Sequence, residues 1–294
     1  MLINRSTTFP HRPLWFSALL HAAIALPLAG GLALVLAVTF QLPADYVLQT
    51  LAIFAGLLLA LLPFLPRHQP LQRFGAANGV TLLRAGIAAL AACMISRAEL
   101  PPGLAWTLVA LAGIALILDG VDGWLARRGG WQSPFGARFD MEVDAVFILI
   151  LAALVYQTGK AGGWVLLSGA LRYGFVALGY ALPWLRQPLP PRRRRQTMCV
   201  IQTAVLALCL IPPLAPPWTT GLAAGALALL TLSFMADTIW LSRHAPRPGG
   251  RMRVAGCSGP ATATAPGSPH PSNSAVNSMD SSGTQRTPTV GQRF

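Results

Sequence analysis

Asp119-Gly-Val-Asp122-Gly123-Trp-Leu-Ala126-Arg127, eight further residues, and Gly136-Ala-Arg-Phe-Asp140-Met-Glu-Val-Asp144 form the stretch on which this chain's reading turns. Four aspartates lie there at the junction of two strongly apolar segments. Charge at the edge of a membrane helix is expensive, so it marks a functional site by default. On a helix, Asp119, Asp122, Gly123, Ala126 and Arg127 fall on one face, because they recur three or four residues apart. Gly136, Asp140 and Asp144 form a second ladder at steps of four. Two helices then each offer two carboxylates and a glycine clearance. That arrangement can hold divalent cations against a phosphate-bearing substrate.

The flanking sequence says what these helices are embedded in. The chain has 294 residues, 54% hydrophobic and 11% charged, where a soluble domain carries about 25% charged residues. An all-α integral membrane protein is expected. Spanning helices need about 20 apolar residues. Eight segments qualify, at about 14–39, 46–65, 78–97, 103–126, 139–157, 162–185, 198–215 and 219–242. The first is too long for a signal-peptide core and has no clear cleavage site after it. Residues 243–294 are rich in Ser, Thr, Pro and Gly and lack apolar periodicity, so a disordered tail is expected.

A net charge of +13 raises the question of nucleic acid. Its distribution argues against that partner. If every segment spans, Arg5, Arg12, Arg67, Arg73, Arg127, Arg128, Arg138, Arg186, the run Arg192–Arg195, Arg243 and Arg247 share one side. The other side has only Arg97 and Lys160, with Asp45 and Glu99. Such asymmetry is what the positive-inside rule predicts, and it puts both termini and the acidic motif in the cytoplasm. The basic side can also attract anionic lipid headgroups. Trp15, Trp106, Trp164, Trp184, Trp218 and Trp240 sit near expected helix ends, as interfacial rings do. Cys93, Cys199, Cys209 and Cys257 have no metal-type spacing and are read as packing residues. No histidine lies near the acidic motif in sequence, and none is given a role.

Carboxylates suit hard cations such as magnesium or manganese. Phosphoryl-type transfer needs phosphate charge neutralised and a nucleophile held in line, and two metals about 4 Å apart can do both. A carboxylate not fully committed to metal can take a proton from an alcohol. Glycine lets a ligand approach the backbone, and Arg127 can offer a fork to phosphate oxygens.

The whole pattern, D-x2-D-G-x2-A-R-x8-G-x3-D-x3-D, resembles the signature of the CDP-alcohol phosphotransferases, also called CDP-alcohol phosphatidyltransferases, and every fixed position from Asp119 to Asp144 is met. Upstream, Asn78-Gly-Val-Thr81-Leu-Leu-Arg84 is similar to the family's N-x-x-T-x-x-R, with Ala77 where the family often has proline. The resemblance implies a six-helix membrane core, matching residues 78–242. The chain then divides into an N-terminal extension with two transmembrane helices (1–66), a catalytic membrane domain (67–242) and the tail (243–294). It implies Asp119, Asp122 and Asp140 as metal ligands, with Asp144 serving the second metal and acting as general base. It implies that Gly123, Ala126, Arg127 and Gly136 line the CDP site, approached by Asn78 and Thr81. The implied reaction is attack by an alcohol on the β-phosphorus of a CDP-linked lipid such as CDP-diacylglycerol, releasing CMP, in phospholipid biosynthesis, by a homodimer using Mg2+ or Mn2+.

Other readings weigh against this one. A structural charge cluster, a transporter with intramembrane carboxylates and a non-catalytic scaffold all use buried acids. A prenyltransferase would not need Gly123, Ala126-Arg127 and Gly136. Glu142, two residues from Asp140 and Asp144, points away from them and suits a lipid-facing or interhelical role. Arg84 and Arg138 stand open between binding an acceptor phosphate and anchoring at the interface. Arg172-Tyr173 falls mid-helix and suits an acceptor pocket. The run Arg192–Arg195 reads as a solvated, lipid-facing loop, and Asp237 as pairing with a nearby basic group. The acceptor stays open among glycerol 3-phosphate, phosphatidylglycerol, serine, inositol phosphate and choline, with the nearby basic residues favouring a phosphorylated alcohol. The reversed chemistry, a CDP-headgroup with diacylglycerol as acceptor, also stays open. Arginine-rich, lysine-poor usage points to a GC-rich bacterial genome and an inner membrane.

Overall fold

The computed structural model describes residues 12–68, 71, 73–95, 97, 100–129, 132–182 and 193–244. Among them run eight α-helices: α1 (Arg12–Thr39), α2 (Tyr46–Leu61), α3 (Ala76–Ala92), α4 (Pro102–Gly129), α5 (Pro134–Gln157), α6 (Leu167–Ala181), α7 (Arg193–Cys209) and α8 (Trp218–His244). Tight 3-10 segments at Leu62–His68 and Gly163–Leu166 complete the described elements, and none is a strand. Helices close every backbone hydrogen bond within the segment, which is what hydrocarbon demands. Four stretches are long and apolar enough to cross a membrane: Leu14–Thr39, Tyr46–His68, Pro102–Gly129 and Trp218–Arg243. Ala76–Ala92 and Gln196–Cys209 are apolar but shorter.

The centre of the bundle is α3, which packs against α1, α2, α4 and α5. Its run of small residues, including Ala85, Gly86, Ala88, Ala89 and Ala91, is buried. Small residues let helix backbones approach closely where no hydrophobic driving force exists between helices in lipid. The outward faces are the reverse of a soluble protein's, with Phe16, Leu48, Ile117 and Trp218 largely exposed. Where α5 meets α6, a Cβ on Gly169 would lie 2.5 Å from Leu149 Cβ, so only glycine permits that crossing. All eight helices belong to one compact unit. The boundary expected at 66/67 falls inside the Leu62–His68 segment.

Several helix bounds differ from those expected, for a common reason: hydropathy misses polar end turns. The span expected at 103–126 continues to Gly129, and the one expected from 139 begins at Pro134. Both halves of the acidic motif therefore sit inside helices. Pro134 at the first helical position and Ser133 as N-cap explain the earlier start. The helix expected from 198 begins at Arg193, so Arg193–Arg195 form its first turn rather than a loop. Arginine is a good helix former, and an apolar-run criterion overlooks it. The segment expected at 162–185 resolves into the 3-10 turn and α6. Arg5, Glu99, Trp184, Arg186, Arg192, Arg247, Cys257 and the tail beyond His244 lie outside the described residues.

The end of the bundle away from the aspartates is fixed mainly by hydrogen bonds to backbone carbonyls. Tyr46 Oη donates to Leu90 O at 3.1 Å, and Thr50 Oγ1 donates to Cys93 Sγ at 3.4 Å. Lys160 Nζ donates to Ile211 O, and Thr219 Oγ1 donates to Lys160 O at 2.6 Å. Partial burial pulls the Lys160 ammonium below the ordinary lysine pKa. Gln157 Nε2 donates to Arg97 O, joining the end of α5 to the chain just beyond α3.

Candidate active site

Three helices build the site. The first turns of α3 bring Asn78 and Thr81 and its midpoint brings Arg84; the C-terminal half of α4 brings Asp119 and Asp122; the N-terminal half of α5 brings Gly136, Asp140 and Asp144. Arg84 stands at the centre, with its side chain only 5% exposed. Its Nη1 lies 2.8 Å from Asp122 Oδ2 and 2.6 Å from Asp140 Oδ1. Its Nη2 lies 2.9 Å from Asp119 Oδ1 and also contacts Asp144 Oδ1. One guanidinium thus joins all four motif carboxylates. Sequence alone leaves Arg84 open between two other roles. Its spacing from Asn78 and Thr81 is visible there, but the cross-helix convergence is not.

The carboxylates are not equivalent. One oxygen each of Asp119, Asp140 and Asp144 lies within 4.8 Å of the others, a spacing that fits shared ligation of a cation. Asp122 stands apart from that trio. It is buried, and its Oδ2 accepts from Thr81 Oγ1 at 3.2 Å as well as from Arg84. The Thr81 hydroxyl has Ala77 O as a second acceptor at 3.1 Å, so it carries one proton between two partners. An all-oxygen donor set suits hard divalent cations, and the arrangement already encloses a positive group. The residues therefore fit a hard divalent cation.

Around the acids lie the small residues of the motif. Asn78 Nδ2 donates to Phe74 O at 2.6 Å. A Cβ on Gly136 would stand 2.9 Å from Asn78 Oδ1 and 3.2 Å from Ser133 Oγ, so α3 and α5 meet there through the missing side chain. The Arg127 side chain folds back along α4, and a Cβ on Gly123 would meet its Nη1 at 3.1 Å. Ala126 is half-buried one turn beyond Asp122, and Arg127 is exposed.

One residue that sequence reasoning passes over supports this corner. His68 is fully buried, with Nδ1 2.7 Å from Ser133 Oγ and Nε2 2.9 Å from Arg73 O. Ser133 Oγ in turn accepts from Gly136 N at 2.9 Å. His68 lies 65 residues before Ser133, and no local signal links them. Behind it, Phe74, Phe135 and Phe139 pack with ring centroids 5.8–6.4 Å apart.

The remaining polar residues form a second group on α5 and α6. Glu142 Oε1 accepts from Arg172 Nη2 at 2.7 Å, an interhelical contact away from the aspartates. Arg138 lies over the Phe64 ring at 4.4 Å and 3.9 Å from Glu142. Arg172 Nε is buried without a hydrogen-bond partner among the described residues. Asp237 is buried on α8.

Four carboxylates around one arginine could also be a purely structural ion-pair node. The comparison with known proteins identifies the family of the chain. No solved structure matches the chain. The family model for CDP-alcohol phosphatidyltransferase matches residues 74–236, more than half of the chain and all of the acidic motif, while α1 and α2 lie before it. The chain therefore belongs to the CDP-alcohol phosphatidyltransferases, integral membrane enzymes that transfer a phosphatidyl group from a CDP-alcohol.

Proposed function

We infer that this enzyme transfers a phosphatidyl group from CDP-diacylglycerol to an alcohol acceptor and releases CMP. The observation that carries this reading is the convergence of Asp119, Asp140 and Asp144, each offering an oxygen within 4.8 Å of the other two. Asp119, Asp122, Asp140 and Asp144 would hold two divalent cations, magnesium or manganese. When bound, such ions offset phosphate charge and polarise the phosphoryl oxygens. Gly123, Ala126, Arg127 and Gly136 line the CDP site, with Asn78 and Thr81 reaching it from α3. The exposed Arg127 offers its fork to the diphosphate.

The acceptor oxygen forms a bond to the β-phosphorus while the bond from that phosphorus to the bridging oxygen breaks. The electron pair leaves with CMP. Asp144 takes the hydroxyl proton, a contribution of about 10²–10⁴-fold for a positioned base. Arg172 and Arg138 favour a phosphorylated acceptor such as glycerol 3-phosphate. The site faces the cytoplasm of a bacterial inner membrane, where the arginine-rich loops also lie. The catalytic domain spans 67–242, preceded by the two-helix extension and followed by the tail, and two copies form a homodimer.

The test is CMP release by purified protein with CDP-diacylglycerol and Mn2+ or Mg2+ across a panel of acceptor alcohols, with Asp144→Ala as control. Release with one acceptor, lost in the variant and on chelation, is expected. Release only with a CDP-headgroup and diacylglycerol would reverse the donor assignment. Solute flux without CMP would replace the enzyme reading with a transporter.

A further inference from the structure

We propose that Arg84 is a resident counter-cation, which holds the four aspartates together in the metal-free enzyme and competes with divalent ions for them. The inference rests on reading the site as a metal centre and adds what that reading lacks, the state of the site before metal arrives.

The geometry carries the argument. A guanidinium offers four N–H groups on its two terminal nitrogens. Here Nη1 serves Asp122 and Asp140, and Nη2 serves Asp119 and Asp144, so each pair of donors meets a pair of carboxylates. The contacted oxygens of Asp119, Asp140 and Asp144 belong to the same carboxylates whose oxygens converge for a cation. A lone pair directed at an N–H is not free for a metal, and a cation drawing on the remaining lone pairs of the same carboxylates weakens their contacts to Arg84, so the two compete.

Charge points the same way. Four carboxylates face one guanidinium, on aspartate side chains 6–30% exposed, so acidic groups outnumber the basic one. That excess would attract cations while Arg84 keeps the acids from repelling one another. Two divalent ions would match the four carboxylates and leave the guanidinium's charge to spare. Arg84 would then be repelled from the ions and free to face the incoming phosphates. The same release would free Asp144 from Arg84, which a general base requires.

A merely structural salt bridge makes the opposite prediction. Losing it would loosen the acidic cluster and weaken metal binding. A competitor, when lost, strengthens metal binding, because its removal destabilises the metal-free state more than the metal-bound one.

The experiment is calorimetric titration of Mn2+ into the full chain in detergent, comparing wild type with Arg84→Gln and Arg84→Lys, alongside thermal midpoints with and without Mn2+. Arg84→Gln should bind Mn2+ about tenfold more tightly, within the usual span of coupled binding effects. Its midpoint should fall in chelator and recover towards wild type in Mn2+. Arg84→Lys, with three donors on a point charge, should lie between the two. Equal or weaker Mn2+ affinity in both variants would overturn the proposal. So would an Arg84→Gln midpoint unchanged in chelator. If Arg84→Gln cannot be recovered folded even in Mn2+, the affinity of Arg84→Lys decides. Wild type that releases CMP and binds Mn2+, with variants that bind no tighter, would sink the Arg84 inference alone. Wild type that binds no divalent ion would sink the metal-centre reading along with it.

Discussion

The two halves of α3 are held by different physics. In the first, which runs to Arg84 at the midpoint, Arg84 joins four carboxylates, and Gly136 and Asn78 meet where a side chain is missing. At its far end, Leu90 and Cys93 accept neutral hydrogen bonds from α2, and Leu151, Leu154 and Leu210 fill the interior. The first half concentrates charge. The second is filled by apolar side chains, with Arg97 lying 5.3 Å over the Tyr46 ring. The contrast teaches where apolar packing stabilises this bundle and where charge is concentrated instead. Strained or uncompensated groups concentrate at functional sites, and the surrounding fold must over-determine them.

The largest effect should come from the charged half. Asp144→Ala is expected to lower CMP release by about 10²–10⁴-fold, the range for loss of a positioned base, with the thermal midpoint in Mn2+ near wild type. A midpoint that collapses with activity would make Asp144 structural and erase the contrast.

Around the apolar half the expected effect is on stability alone. Leu154 is fully buried, and Leu154→Ala should cost about 2 kcal/mol, the low end for such a truncation, because lipid lacks the hydrophobic driving force between helices. Thermal unfolding in detergent measures it, and kcat on the surviving protein should be unchanged. A fall in kcat without a fall in stability would mean that the two halves are coupled.

Gly136→Ala should act at the charged half by crowding. Its new Cβ lies 2.9 Å from Asn78 Oδ1, and such overpacking costs about 1–3 kcal/mol. A KM for the CDP donor raised about tenfold, with kcat less affected, would follow from about 1.4 kcal/mol lost in binding. Unchanged KM would remove Gly136 and Asn78 from the nucleotide site.

The smallest effect belongs to Tyr46→Phe. It deletes one hydrogen bond to Leu90 O, worth about 0.6 kcal/mol on average between membrane helices. A small drop in midpoint is expected, and wild-type activity. Large loss of activity here would show that α2 bears on the site through α3.

Much of this organisation is legible in the sequence. Helical spacing puts Asp119 with Asp122 and Asp140 with Asp144 on single faces, and the structure brings both pairs to one place. The pairing of α3 with these two helices is legible only through the family motif that includes Asn78, Thr81 and Arg84. What Arg84 does there is not legible, because an arginine in an apolar segment reads the same whether it meets one acid or four. Hydropathy misplaces helix ends wherever the terminal turn is polar, as at Ser133-Pro134 and Arg193. His68 escapes notice for a different reason. Its partner is 65 residues away, and a single buried side-chain bond leaves no periodic trace.

That histidine bears on how much of the chain a working fragment must keep. The family match begins at residue 74, which makes that residue a tempting place to cut. His68 lies six residues upstream and grips both the Arg73 carbonyl and the hydroxyl that caps α5. Trimming to the shared boundary would unlatch the first turn of the helix that presents Gly136, Asp140 and Asp144. The minimal unit that is inherited and the minimal unit that can be excised are not the same length in this protein.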